Sequence, residues 1–234
     1  MTKFTFANLV LLLVLSTTAV AQQAPVISSA IMKKLQEAQE LQQKQRFYDA
    51  LEKLEELDAM TPNLPDVYNM RGSIYLSPSL RDFAKADEMF AKAETLQPNS
   101  LPPRFNRAEL LFVKHDWAAA AAAFEKLLVD FPKTPMAVRH LVLFKLVVCA
   151  VKLDQTDVAQ KRLKESFTFM DDTPAYYFAN AALAFHKKNE SEAKDWMLRA
   201  NGIFKEAENS AYVDTLMEAR WVPNIDLPEA KDGQ

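Results

Sequence analysis

Residues 68–98 read YNMRGSIYLSPSLRDFAKADEMFAKAETLQP, and this stretch decides the fold. It holds two runs of helical pattern with a small residue in each, Gly72 in the first and Ala86 in the second. Phe90 follows Ala86 by one helical turn, and Pro98 closes the run. Small residues in consecutive helices let the two backbones approach closely. A large apolar side chain one turn later fills the groove so made. The proline then stops the second helix, because it has no amide hydrogen and clashes with the preceding turn.

The same device recurs along the chain. It appears in FYDALEKLEEL (47–57), DFAKADEMFAKAETL (82–96), WAAAAAAFEKLL (117–128), TDVAQKRLKESF (156–167) and ESEAKDWMLRA (190–200). The small–large pairs are Ala50/Leu54, Ala86/Phe90, Ala120/Phe124, Ala159/Leu163 and Ala193/Met197, with the alanines 36, 34, 39 and 34 residues apart. A second small residue precedes most of them, at Ala38, Gly72, Ala108 and Ala181, while Val147 takes this place in the fourth unit. Pro62, Pro98 and Pro132 follow the first three alanines by twelve residues. A period near 34 residues accommodates two helices of about 13 residues with short turns. Each pair would leave an apolar face in water, and stacking successive pairs buries it.

Five such units in phase make the chain resemble the tetratricopeptide repeat family. Tyr68, Gly72, Tyr75, Ala86, Phe90, Ala93 and Pro98 match that family's pattern best, with two extra residues in the Leu76–Leu80 turn. The third unit matches with Ala108, Leu111, Ala120, Phe124 and Pro132, and the fifth with Tyr177, Ala181, Ala193, Met197 and Ala200. The first is looser, and the fourth departs most, with Val147, Ser166 and Asp171 at places that usually hold small residues and proline. The resemblance implies an all-α fold: a right-handed solenoid of about five helix–turn–helix repeats plus a C-terminal capping helix, KEAENSAYVDTLMEAR, ending at Arg220 or Trp221. The expected organisation is residues 1–21 as a signal peptide, 22–30 as a polar tail, 31–221 as the solenoid with its terminal helix, and 222–234 as a second tail.

The first 21 residues, MTKFTFANLVLLLVLSTTAVA, have the form of an export signal. Lys3 gives the positive start, Leu9–Val20 the apolar stretch, and Ala19-Val20-Ala21 the small residues that signal peptidase needs. Cleavage is expected before Gln22, giving a periplasmic or secreted protein with no stable membrane anchor.

Composition narrows the chemistry. Among 234 residues there are three glycines, at Gly72, Gly202 and Gly233. Phosphate-binding loops need glycines close together, so that class is excluded. One cysteine, Cys149, excludes an intrachain disulfide and a multi-cysteine zinc site, and its place in the apolar run LVLFKLVVCAV marks it as a small core residue. A net charge of −3 does not suit nucleic acid. His115, His140 and His186 fall in different units with no metal-ligand spacing. Asp171-Asp172, before Thr173-Pro174, is a turn and helix-start signal. No catalytic, cofactor or metal site is expected.

In the tetratricopeptide family the first helix of each unit lines the concave face, where partners dock as extended or helical peptides. The resemblance carries that role to Phe105, Glu109 and Phe112 in the third unit. It carries it to Phe144, Val148, Val151 and Lys152 in the fourth, and to Phe178, Phe185 and His186 in the fifth. The corresponding places in the first two units are amide-rich: Gln39, Gln42 and Gln43, then Asn69 and Ser73. The expected function is an exported, non-enzymatic adaptor that buries apolar side chains of a protein or peptide against these phenylalanines, with Glu109, Lys152 and His186 setting orientation. The other expectation is a structural spacer or oligomer subunit whose groove is filled by the chain itself.

Overall fold

A computed structural model describes residues 29–223, which form helices and turns with no strand among the described residues. The expected signal peptide, its cleavage site and most of both tails lie outside the described residues. The chain divides into two compact units, with the boundary between Asn106 and Arg107.

The N-terminal unit contains α1 (Ser29–Gln43), α2 (Phe47–Met60), α3 (Pro65–Leu76) and α4 (Phe83–Leu96), and the first residues of α5 (Leu101–Val113). Helices α1 and α2 pack as one hairpin and α3 and α4 as the next. Leu35, Ala38, Ala50, Leu54, Met70 and Ile74 lie in a continuous core. Gly72 is needed for closeness rather than for a turn. A Cβ placed there would lie 2.5 Å from two ring carbons of Phe90. The Asp58 carboxylate ties α2 to α3 by accepting from the Tyr68 hydroxyl (2.7 Å) and pairing with Arg71 (3.3 Å).

The C-terminal unit contains the rest of α5, then α6 (Trp117–Asp130), α7 (Met136–Lys152), α8 (Thr156–Ser166), α9 (Ala175–His186), α10 (Glu190–Ile203) and α11 (Glu206–Glu218). Here α7 packs against α6, α8 and α9, and α9 against α10. The 39-residue spacing in the sequence resolves into helix length. Helix α7 has 17 residues where α5 has 13 and α9 has 12, so the insertion is an added turn of helix. The extra residues of the second unit lie in the Ser77–Asp82 turn, as expected.

All five alanines of the small–large pairs are fully buried, and so are Leu54, Phe90 and Phe124, with Leu163 nearly so. Only Met197 among the large partners is half-exposed. The turns inside the pairs share one geometry. Gln45, Arg81, His115, Asp154 and Lys188 all have φ between 45° and 61°. In every pair a residue donates back across the turn to close it: Arg46 N to Leu41 O, Asp82 N to Tyr75 O across the longer turn, Asp116 N to Leu111 O, Gln155 N to Ala150 O and Asn189 N to Ala184 O. These bonds satisfy carbonyls that the helix end would otherwise leave open. The following helix is capped where the sequence allows. Asp82, Asp116 and Asn189 each accept from the backbone amide three residues on.

Helix α11 ends the same way. Arg220 has φ 58° and Trp221 N donates to Leu216 O, so the helix stops at Glu218, two to three residues earlier than the sequence suggests. It packs on α9 and α10, and also on α7.

Candidate functional site

The first helices of the C-terminal unit, α7 and α9, are apolar on more than one side. Helix α7 buries thirteen of its seventeen residues. One side packs on its own hairpin partner, and the remaining apolar side needs a further cover. The structure shows that cover: α11.

Tyr212 of α11 stands between the two aromatic side chains of this face. Its ring lies 5.3 Å from Phe144 and stacks on Phe178 at 5.4 Å. Phe144 and Phe178 meet each other edge-on at 6.3 Å. Leu216, one turn after Tyr212, is fully buried. Trp221 stacks on Phe185, the rings 6.0 Å apart and nearly parallel. Offset and edge-on aromatic pairs of this kind each add about 0.5–1.5 kcal/mol beyond area burial.

The centre of the contact is polar. Lys145 is 4% exposed. Its Nζ pairs with Glu109 Oε2 (2.9 Å), donates to Thr215 Oγ1 of α11 (2.9 Å) and sits 4.5 Å from the centre of the Phe112 ring. Glu109 Oε1 is closed off from solvent and has no hydrogen-bond partner. Burial raises the Glu109 carboxyl above its ordinary range, with Lys145 opposing. Asp214 of α11 is pushed up to about 7 by burial; Lys145 opposes this, and the negative fields of Glu218 and Glu109 reinforce it. Two carboxyl groups, Glu109 and Asp214, thus share one lysine.

At the far end of α11, hydrogen bonds hold its last carbonyls. Lys152 Nζ donates to Ala219 O and lies 4.1 Å from the centre of the Trp221 ring. His115 Nε2 donates to Glu218 O at 2.8 Å. Burial lowers the pKa of both Lys152 and His115. Cations near a helix C-terminus also suit its dipole. At the other end, the Tyr212 hydroxyl hydrogen-bonds Thr173. Thr173 Oγ1 in turn shares a 2.8 Å hydrogen bond with His140 Nδ1, buried beside Phe167.

The residues expected to bind a partner are therefore placed as follows. Glu109, Phe144, Lys152, Phe178 and Phe185 converge on α11, directly or through Lys145. Phe112 packs edge-on against Trp117 and Phe124 and beneath Lys145. Val148 and Val151 are buried, and Phe105, in the N-terminal unit, is 1% exposed. His186 does not join the group. It shares a 3.1 Å hydrogen bond with Thr156 Oγ1 of α8, in the preceding repeat. Of the amides of the first two units, Gln42 and Asn69 are buried, Gln42 Nε2 donating to Ser73 Oγ and Asn106 Nδ2 to Asn69 Oδ1, while Gln39 is half-exposed and Gln43 exposed. Cys149 is a core residue, its thiol pushed up to about 12 by burial.

Sequence reasoning missed Lys145, Thr173, Tyr212, Asp214, Thr215 and Trp221. Lys145 had a signal. It is the one charge in LVLFKLVVCAV, and a lysine amid an apolar run is either misplaced or buried with partners. The residues of α11 had none, because the pattern of a terminal helix does not say which earlier helices it covers.

The fold has solved counterparts. A tetratricopeptide repeat protein from Parabacteroides merdae superposes with a TM-score of 0.60 at 15% identity, over 81% of this chain and 71% of that one. PilW, described as a widely conserved type IV pilus biogenesis factor, gives 0.61 at 20% identity over 83% and 89%. A thermophilic repeat protein of the same kind from Thermus thermophilus gives 0.59 at 19% over 80% and 99%. The chain has the tetratricopeptide repeat fold. No family model matches it, and neither does any curated protein. Among the described residues, no helix is long and apolar enough to cross a membrane.

Proposed function

We propose that the protein is an exported, non-enzymatic adaptor that binds a protein or peptide on the face formed by the first helices of its repeats. The observation that carries this reading is the aromatic face of α7 and α9, Phe144, Phe178 and Phe185. It is larger than hairpin packing needs, and a helix lies on it. A groove that holds one amphipathic helix has the shape and chemistry for another. The export signal in residues 1–21 supports an envelope or extracellular setting, and a pilus biogenesis factor of the same fold is consistent with one.

The test is affinity capture from an envelope extract, using the tagged chain beside a Lys152→Ala variant. This side chain is half-exposed on α7, so circular dichroism should show the fold intact. Loss of a partner by the variant supports docking on this face. Equal capture by both places docking elsewhere, and no partner for either counts against an adaptor.

One observation favours a second reading, a structural subunit with a self-filled groove: α11 already covers the face. A homogeneous oligomer in light scattering, with no foreign partner, would favour it.

A further inference from the structure

Three features outside the repeat cores invite a reading. The Phe169–Met170 tip is exposed, on a turn closed by Thr168 and Asp171. Its neighbours do not say what would cover it. The buried His140–Thr173–Tyr212 chain spends its polar groups on one another. The third, the contact between α11 and the aromatic face, goes further.

Resting on the adaptor reading above, we infer that α11 is a built-in, displaceable competitor for the partner. The partner it mimics is an amphipathic helix bearing an aromatic residue, a hydroxyl residue three positions later and a leucine at the fourth.

The pattern comes from α11 itself. Tyr212, Thr215 and Leu216 stand at i, i+3 and i+4 and so share one face. They meet respectively the Phe144–Phe178 pair, the Lys145 ammonium and the apolar floor. A partner carrying these three groups would reproduce every direct contact that α11 makes at its centre.

The contact is also built to open. Buried apolar interfaces separate reluctantly, whereas one with a buried lysine and carboxylates at its centre regains hydration when it parts. Lys145 keeps Glu109 as a partner when Thr215 leaves, so no charge is stranded. Asn209 Oδ1, Glu109 Oε1 and the raised Asp214 carboxyl are poorly served in the docked state and gain from water. Only Phe204 and Lys205 join α10 to α11, and the last turn of α10 holds the exposed Gly202. That is a short hinge carrying a helix whose first turn is closed locally, Lys205 N donating to Glu208 Oε2.

The experiment uses the full chain and a fluorescein-labelled peptide of residues 206–222 as the probe. In a Tyr212→Ala, Leu216→Ala variant the built-in helix is weakened. Fluorescence anisotropy should then show the peptide binding at least about tenfold more tightly than to the parent chain. Should the double variant lose helicity, Leu216→Ala alone serves. A Lys152→Cys, Arg220→Cys variant, bridged by a short bismaleimide, holds α11 down and should bind no peptide. The buried Cys149 thiol would not compete for the reagent. A peptide with both anchors changed to alanine should not bind at all. Equal affinity for parent, weakened and bridged chains would overturn the inference, as would no binding by a folded weakened variant. So would a dimer that exchanges α11 between copies, seen in light scattering of the parent. Failure here leaves the adaptor reading intact if capture still depends on Lys152. If capture fails and the peptide binds, the groove is real but the adaptor reading falls.

Discussion

Gly72 shows how one missing Cβ sets a helix spacing. Phe90 has no exposed surface, and its ring occupies the volume a methyl group at position 72 would need. Gly72→Ala gains about 1 kcal/mol of helix propensity. It must displace a packed ring, and overpacking costs about 1–3 kcal/mol. The expected result is net destabilisation by about 1 kcal/mol, read as a lower urea midpoint with an unchanged slope. Lys188 is the reverse case. Its backbone sits at φ 59°, where a side chain is strained, and the side chain is exposed. Lys188→Gly should stabilise by about 0.5–1 kcal/mol, because relief of the left-handed strain outweighs the added freedom of the unfolded chain. Thermal unfolding would show it as a rise of a few degrees. Scarce glycine therefore did not mean few tight turns: five non-glycine residues hold the left-handed turns within the repeats. Composition could not reveal this, since the strain is offset by bonds such as Asn189 N to Ala184 O.

At the scale of elements, the small–large pairs and prolines made ten helices legible, because each pair encodes a local packing requirement. The 39-residue spacing announced an insertion but not its place. The structure puts it in α7, whose LVLFKLVVCAV run has no proline or glycine to end it. Helix α11 was legible as a helix and as one of the covers the phenylalanines could take, but its sequence does not say which side it presents to them. Asn209 and Thr215 are buried in it while other apolar positions are half-exposed, so its pattern names no single face. The polar centre beneath it makes its docking sensitive to pH. Asp214 faces Lys145 of α7, Glu109 of α5 and Glu218 of its own helix. It keeps its proton to about pH 7 when docked, against an ordinary value of 3.8. Its contribution to stability is full below about pH 4 and is lost as pH rises through 7. Glu109, also raised, acts with the same sign. His115 and His140, lowered by burial, act oppositely, losing stability as pH falls below 6.5. Comparing the parent with Asp214→Asn isolates one group. The variant should be more stable than the parent, relative to their values at pH 4, by a few kcal/mol at pH 7.5, in urea titrations across that range.

Across the whole molecule, repetition carries the fold and the exception carries the function. Five helix pairs obey one rule, and solved structures at 15–20% identity share the result. Of the five phenylalanines expected at the binding face, Phe144, Phe178 and Phe185 meet the C-terminal segment of the same chain. Of the amides expected in the first two units, Gln42 bonds to Ser73 and Asn69 to Asn106. Sequence pattern identifies which side chains share a face. It does not identify what covers that face, since a cover from the same chain and one from a partner demand the same residues. The adaptor reading and the competitor inference therefore turn on whether α11 leaves independently of the helices beneath it. Hydrogen exchange with mass spectrometry, on the intact chain under native conditions, measures this directly. The account predicts that residues 206–222 exchange as a separate unit, well before α7 and α9. Exchange of α11 only together with α9, at the rate of global unfolding, would contradict it and make α11 a permanent part of the core.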